Sequence, residues 1–195
     1  MIVAVVLSAG ESSRMGRPKA LLPIEDETFL ERIVKALKRA GVGKIVVVIG
    51  HNAEEMRSQV DHLPVKILVN HQYKLGQLSS LHVAIRHILS DPDCDGILVH
   101  LVDHPYINAT LVSQMIEAFY ASGKLIVRPR YQGKRGHPVI LSRKLFTELL
   151  NAPIEQGAKA VVNAHAADTL EIDSDEGVTI DIDTPDEYSQ HVKAK

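Results

Sequence analysis

The chain has 195 residues, 45% of them hydrophobic and 24% charged, the size and balance of one ordinary globular domain rather than a disordered polypeptide. Lys and Arg total 22 against 24 acidic residues, a formal charge of −2, so no global field holds it on nucleic acid or on an anionic membrane, and any polyanion must be gripped locally. Cys94 is the one cysteine, which excludes an internal disulfide and a cysteine-built metal site and suits a reducing, cytoplasmic setting.

In chain order, the apolar start Met1 to Leu7 lacks a basic leader and is far shorter than the roughly twenty residues that span a bilayer, so it reads as a buried strand. Residues 2–7, 44–49 and 96–102 are continuous, β-branched apolar runs, the pattern of parallel strands covered on both faces. Between them lie stripes at helical spacing. Leu30, Ile33, Val34 and Leu37 form one, closed by Gly41. Leu81, Ala84, Ile85, Ile88 and Leu89 form another, ending before Asp91-Pro92. Leu111, Val112, Met115, Ile116 and Phe119 form a third, with Asn108 as N-cap and Gly123 beyond its end. Residues 124–142 read as two strands joined by Gln132-Gly-Lys-Arg-Gly136, and 178–183 as a last short strand before a terminal helix from about 184. No repeat or linker interrupts the chain. The expectation is an α/β fold: a single-domain, doubly wound, Rossmann-like and mostly parallel sheet with a mixed C-terminal part.

Three segments carry chemistry. Leu7-Ser-Ala-Gly-Glu-Ser-Ser-Arg-Met-Gly-Arg-Pro-Lys19 follows the first strand and so sits at its carboxyl end, where open α/β sheets bind ligands. Its small residues expose backbone N–H groups, and Arg14, Arg17 and Lys19 supply positive charge, together a phosphate cradle; a plain basic surface loop is the bland alternative. It matches neither Gly-x-x-x-x-Gly-Lys-[Ser/Thr] nor Gly-x-Gly-x-x-Gly. Asp103, at the end of the strand 96–102, can hold a hard cation such as Mg²⁺ or merely start the turn before Pro105. In Ile180-Asp-Ile-Asp-Thr-Pro-Asp-Glu187, alternation along a strand puts Asp181 and Asp183 on one face, with Thr184 and Glu187 forming a capping box. Of the ten histidines, His100 and His104 share a face, but the Pro105 turn disfavours a zinc site. His137, in a cationic glycine-bearing loop, either meets an anionic substrate or is an ordinary loop residue.

Val6 to Leu22, Val102-Asp-His-Pro105, Arg135-Gly-His-Pro-Val139 and Ile182 to Glu187 together, in this order, resemble the signatures of the MobA-like nucleotidyltransferases, and within that family most resemble the MocA-type molybdenum cofactor cytidylyltransferases. The resemblance implies Mg²⁺-dependent transfer of a nucleotidyl group from an NTP, with CTP the donor, to a phosphorylated acceptor, molybdopterin, releasing pyrophosphate. It implies that Leu7, Ser8, Ala9 and Gly10 wrap base and sugar, that Arg14 and Lys19 hold the triphosphate, and that Asn70, Gly76, Gln77, Ser79 and Ser80 line the nucleotide pocket. Arg14, Lys19 and Asp103 would be catalytic, Asp103 and Asp183 would bind the metal, and Arg135, Gly136 and His137 would face the acceptor. Residues 1–105 would form the NTP half and 106–195 the acceptor half. A molybdoenzyme or its chaperone would be a transient partner; nucleic acid and membrane would not. Ser8-Ala9-Gly10 replaces the double glycine usual in the guanylyl branch, and His104 is unlike the common residue of the Asp-x-Pro motif. The alternatives are GTP as donor, a sugar or alcohol phosphate as acceptor, and a non-catalytic nucleotide-binding cofactor chaperone.

Overall fold

The computed structural model describes residues 1–193. In chain order the elements are β1 (Ile2–Ser8), a small hairpin of β2 (Pro23–Ile24) and β3 (Glu27–Thr28), α1 (Phe29–Arg39), β4 (Ile45–Ile49), α2 (Ala53–Val60), β5 (Lys66–Val69), α3 (Gln77–Ile88), β6 (Gly96–Leu101), α4 (Ala109–Ser122), β7 (Ile126–Tyr131), β8 (Lys134–Arg135), β9 (Val139–Ser142), α5 (Phe146–Asn151), α6 (Ala158–Ala164), β10 (Thr169–Asp173) and α7 (Pro185–Tyr188). The sheet runs β10-β7-β9-β6-β1-β4-β5, with β8 paired to β7. β1 is parallel to β4 and β6, β4 to β5 and β7 to β10, while β9 runs antiparallel between β6 and β7. The expected mixed, doubly wound sheet is the observed one.

The winding follows from β1. Ile2, Ala4 and Val6 face one core with α1 and α4, and Val3, Val5 and Leu7 face a second core with α3, α5 and α6, so a strand apolar at every position has no solvent face to lose. α1 starts at a Thr28–Glu31 capping box and buries Leu30, Ile33, Val34 and Leu37. α4 starts where the Asn108 side chain accepts from the Thr110 and Leu111 N–H groups and stops at Gly123, whose φ of 65° is left-handed. A third cluster of Leu22, Ile24, Phe29, Ile182 and Tyr188 lies beneath the first loop. Tyr188 also donates from its hydroxyl to the Pro23 carbonyl at 2.6 Å, so the C-terminal segment is stitched under the loop that follows β1.

One expected strand is absent. Residues 176–179 form a 3₁₀ turn, begun where the Asp175 side chain accepts from the Gly177 N–H, and 180–183 pair with no strand. Their backbone bonds instead to loops: His137 N–H donates to the Val178 carbonyl and Ile182 N–H to the Asp103 carbonyl, both at 2.9 Å. Strand alternation therefore does not apply. Asp181 is exposed, whereas buried Ile182 anchors Asp183 at the sheet edge. α2, β5, α5, α6 and β10 carry too short or too polar a pattern for periodicity to reveal.

Candidate active site

β1 and β6 are in register, Leu7 beside Leu101, so the loops after Ser8 and Leu101 leave the same edge of the sheet. The first loop folds back on itself: the Met15 and Gly16 N–H groups donate to the Ser12 carbonyl at 2.9 and 3.2 Å, and the Lys19 N–H to Ser12 Oγ at 3.2 Å. This reversal, with Ser12 at φ 51°, returns Lys19 to the sheet edge. Lys19 Nζ donates to Asp103 Oδ2 at 3.2 Å and to Asp183 Oδ1, and Arg14 Nη2 donates to Asp183 Oδ2 at 2.6 Å. Two cations and two carboxylates from three distant segments thus form one chain of ion pairs. The Lys19 ammonium, with Arg14 adding to it, sets the Asp183 carboxyl below its ordinary pKa and outweighs the opposing effect of burial. Asp103 Oδ1 is buried and has no hydrogen-bond partner among the described residues.

Around this cluster lies a cleft of about 300 Å³. Leu7, Ser8, Ala9, Gly10, Arg14, Lys19, Gly76, Gln77, Ser80, Asp103 and Asp183 line it, all residues singled out in the sequence. Asn70 and Ser79, expected in the lining, stand behind it instead: Asn70 Nδ2 donates to Ser79 Oγ and Ser80 Oγ at 2.8 and 2.9 Å, and its Oδ1 accepts from the Gln72 N–H. They brace the 70–80 segment from a buried position. His51, Met56 and Tyr73 line the cleft without having been foreseen. They follow β4 and β5 at the same sheet edge, so strand ends rather than motifs would have found them. Gly50 is required there, because a Cβ would meet Tyr73 Cβ at 2.6 Å and the Ala9 carbonyl oxygen at 2.7 Å.

Arg135, Gly136 and His137 do not enter this cleft. They line a second cavity of about 340 Å³, which shares Leu7 and Gln77 with the first. Its walls are aliphatic, from α3, the sheet and α6, and Arg128, Lys159 and Asn163 also reach it. Gly136 packs so closely that a Cβ would sit 2.4 Å from the Val178 carbonyl oxygen. Behind the cavity the rings of His100, His104 and His137 stand 5.0 to 6.5 Å apart, each with a buried, unpartnered Nδ1. Burial pulls the His137 pKa down to about 4 and those of His100 and His104 down as well, so the three rings are neutral at pH 7. Among the described residues no three His, Cys, Asp or Glu side chains are grouped to hold a metal ion.

A doubly wound sheet whose strand ends gather a cationic small-residue loop and two carboxylates defines an α/β enzyme of nucleotide chemistry. The chain belongs to the MobA-like NTP transferase domain family, whose model matches residues 4–169, and it is by that membership a nucleotidyltransferase. It is 31% identical over 157 residues to the nicotine blue oxidoreductase of Paenarthrobacter nicotinovorans, covering 74% of this chain and 72% of that one. It is 27% identical over 189 residues to the molybdenum cofactor cytidylyltransferase of Escherichia coli K12, covering 96% and 93%. Among solved structures, Rv0371c of Mycobacterium tuberculosis H37Rv superposes with a TM-score of 0.84 at 28% identity over 99% of both chains; its complex with manganese gives 0.75.

Proposed function

We propose that this chain transfers a cytidylyl group from CTP to a phosphorylated acceptor of the molybdopterin type, with Mg²⁺ and release of pyrophosphate. The observation that carries the reading is Lys19 held between Asp103 and Asp183 at the mouth of the small-residue loop. Such a cluster is balanced at rest, and its partners are of the kind a metal-bearing polyanion would take: Asp103 and Asp183 would hold the ion, and Lys19 and Arg14 would meet phosphate. The buried, unpaired Asp103 Oδ1 is an oxygen donor suited to the ion. Two carboxylates with no third protein ligand fit Mg²⁺, which completes its shell with phosphate oxygens and water. Mg²⁺ held by Asp103 and Asp183 would supply Lewis-acid countercharge to the phosphates.

The chain's own groups do the rest. Backbone N–H groups of residues 9–13 face the triphosphate. Lys19 and Arg14 offset the negative charge that grows on the departing pyrophosphate, and the acceptor phosphate is held beside the α-phosphorus where the two cavities meet at Leu7 and Gln77. Bringing two polyanions together is the main barrier, so positioning and countercharge carry the catalysis. The acceptor phosphate is ionised near neutral pH, and no general base is needed. CTP rather than GTP is favoured by Ser8-Ala9-Gly10 and by the likeness to a cytidylyltransferase along 96% of the chain. The same reading places the chain in the cytoplasm, handing its product to a molybdoenzyme or its chaperone. No described helix is long and apolar enough to cross a membrane.

The test is pyrophosphate release with CTP or GTP, with molybdopterin or a sugar phosphate, and with or without Mg²⁺. Release with CTP and molybdopterin that requires Mg²⁺ is expected. Release only with a sugar phosphate would remove the acceptor assignment. Oxidation of a reduced pyridine nucleotide without pyrophosphate would overturn the transfer itself.

A further inference from the structure

The second cavity contains a buried arginine that the transfer reaction, as derived above, leaves unused. Arg128 lies on β7 with its side chain 7% exposed. Its Nε and Nη2 both donate to Glu171 Oε1 on the neighbouring β10, at 3.1 and 2.7 Å; β7 and β10 put the two residues directly opposite each other. Its Nη1 has no hydrogen bond among the described residues, and the side chain lines the cavity. The surroundings are aliphatic: Leu78, Leu81, Val99, Val139 and Val162 form the walls.

Deep in this chamber the Arg128 guanidinium is matched by Glu171, while the further cations of the lining, Arg135 and Lys159, stand on exposed residues. A phosphate dianion pressed in against Arg128 would lose its hydration for a cation already paired, so phosphate is better met by the exposed cations and the ring by the buried aliphatic part. A flat heterocycle can lie between the aliphatic walls with one carbonyl oxygen satisfying the open N–H, and Gln77, Lys159 and Asn163 of the lining are within the chamber for its other polar edge atoms. We infer that this cavity takes the planar heterocycle of the acceptor and that Arg128 is a specificity-determining residue, donating from Nη1 to a ring carbonyl. The inference rests on the acceptor reading above and refines it: the acceptor's phosphate stays at the junction with the first cleft, and its ring points away toward β10. Glu171 is a positioning residue. It also meets Arg135 at 3.4 Å and Arg130 at 3.6 Å, so loss of Arg128 leaves it still paired.

The test uses the full chain and two probes that differ at the carbonyl: 6-hydroxymethylpterin, which carries it, and 2,4-diamino-6-hydroxymethylpteridine, which has an amino group in its place. Binding is read from quenching of the pteridine's own fluorescence, with CTP affinity measured separately on the same samples. Wild type should bind the pterin roughly ten- to a hundredfold more tightly than the diamino compound. Arg128→Gln should lose most of that preference while binding CTP as wild type does. Val162→Trp, which fills the chamber from α6 without touching a polar group, should abolish pterin binding and again spare CTP. Equal affinity of wild type for the two probes, or an unchanged preference in Arg128→Gln, overturns the role of Arg128. CTP binding with no pterin binding by wild type overturns the cavity assignment, and it does so without touching nucleotidyl transfer to another acceptor.

Discussion

In the first cleft Lys19 stands between two carboxylates that are each about a quarter exposed, on side chains that hang from loops. In the second cavity Arg128 is fixed between two strands, and its partner Glu171 is the residue directly opposite in the ladder. Loop-borne pairs can trade partners, and a triphosphate needs cations that can be released to it. A strand-borne pair cannot move far, so it recognises shape and the position of one acceptor atom. On the proposed reading, the first cleft is built to exchange charge and the second cavity to hold it still.

The largest effect that bears on this contrast is removal of the exchanging cation. Lys19→Ala should lower the rate of pyrophosphate release roughly 10²–10³-fold, measured at a temperature where the variant is folded; an unchanged rate would break the contrast at its first term. The acceptor side should show instead in pH-dependent stability. Burial holds the His137 ring neutral with a pKa of about 4, against 6.5 unfolded, so below pH 6.5 protons bind the unfolded chain first. Stability present above pH 6.5 is lost as pH falls toward 4, by about 3 kcal/mol from this ring. Chemical denaturation at several pH values should show that slope, and His137→Gln should make it shallower, with His100 and His104 supplying the remainder.

Smaller effects sharpen the picture. Gly50→Ala forces a methyl into Tyr73 and the Ala9 carbonyl, and overpacking of this kind costs about 1–3 kcal/mol. CTP affinity by calorimetry should therefore weaken by roughly tenfold or more, with pteridine binding in the second cavity unaffected. Thr184→Ala removes one half of the capping box that starts α7. It should cost about 1 kcal/mol in stability, and it should raise KM for CTP slightly by loosening Asp183.

The cleft was largely legible in the sequence because one continuous segment, residues 7–19, carries the backbone donors and both cations, and because Asp103 ends an unmistakable apolar strand. The sheet was legible for the same reason: β1, β4 and β6 are nearly continuous apolar runs, broken only by Ser8 at the end of β1 and His100 within β6. The Asp183 segment was misread as a strand because its alternation is real, yet its hydrogen bonds go to the Asp103 and His137 loops, and pattern alone cannot name a partner. Asn70 and Ser79 are expected in the pocket only through the family resemblance, which carries a whole segment over by position; here the Asn70 amide donates to the Ser79 hydroxyl behind the cleft. The second cavity was the least visible. Arg128, Lys159 and Asn163 come from a strand and from the seven-residue helix α6, and only folding brings them beside His137.

The most direct test of the central claim is CTP affinity measured by titration calorimetry with and without Mg²⁺, on wild type and on Asp103→Asn. If the Lys19 cluster opens to a metal-bound triphosphate, Mg²⁺ should tighten CTP binding to wild type, and Asp103→Asn should lose that increment while keeping metal-free binding. Equal affinity with and without Mg²⁺ in wild type, or an undiminished increment in Asp103→Asn, would contradict it.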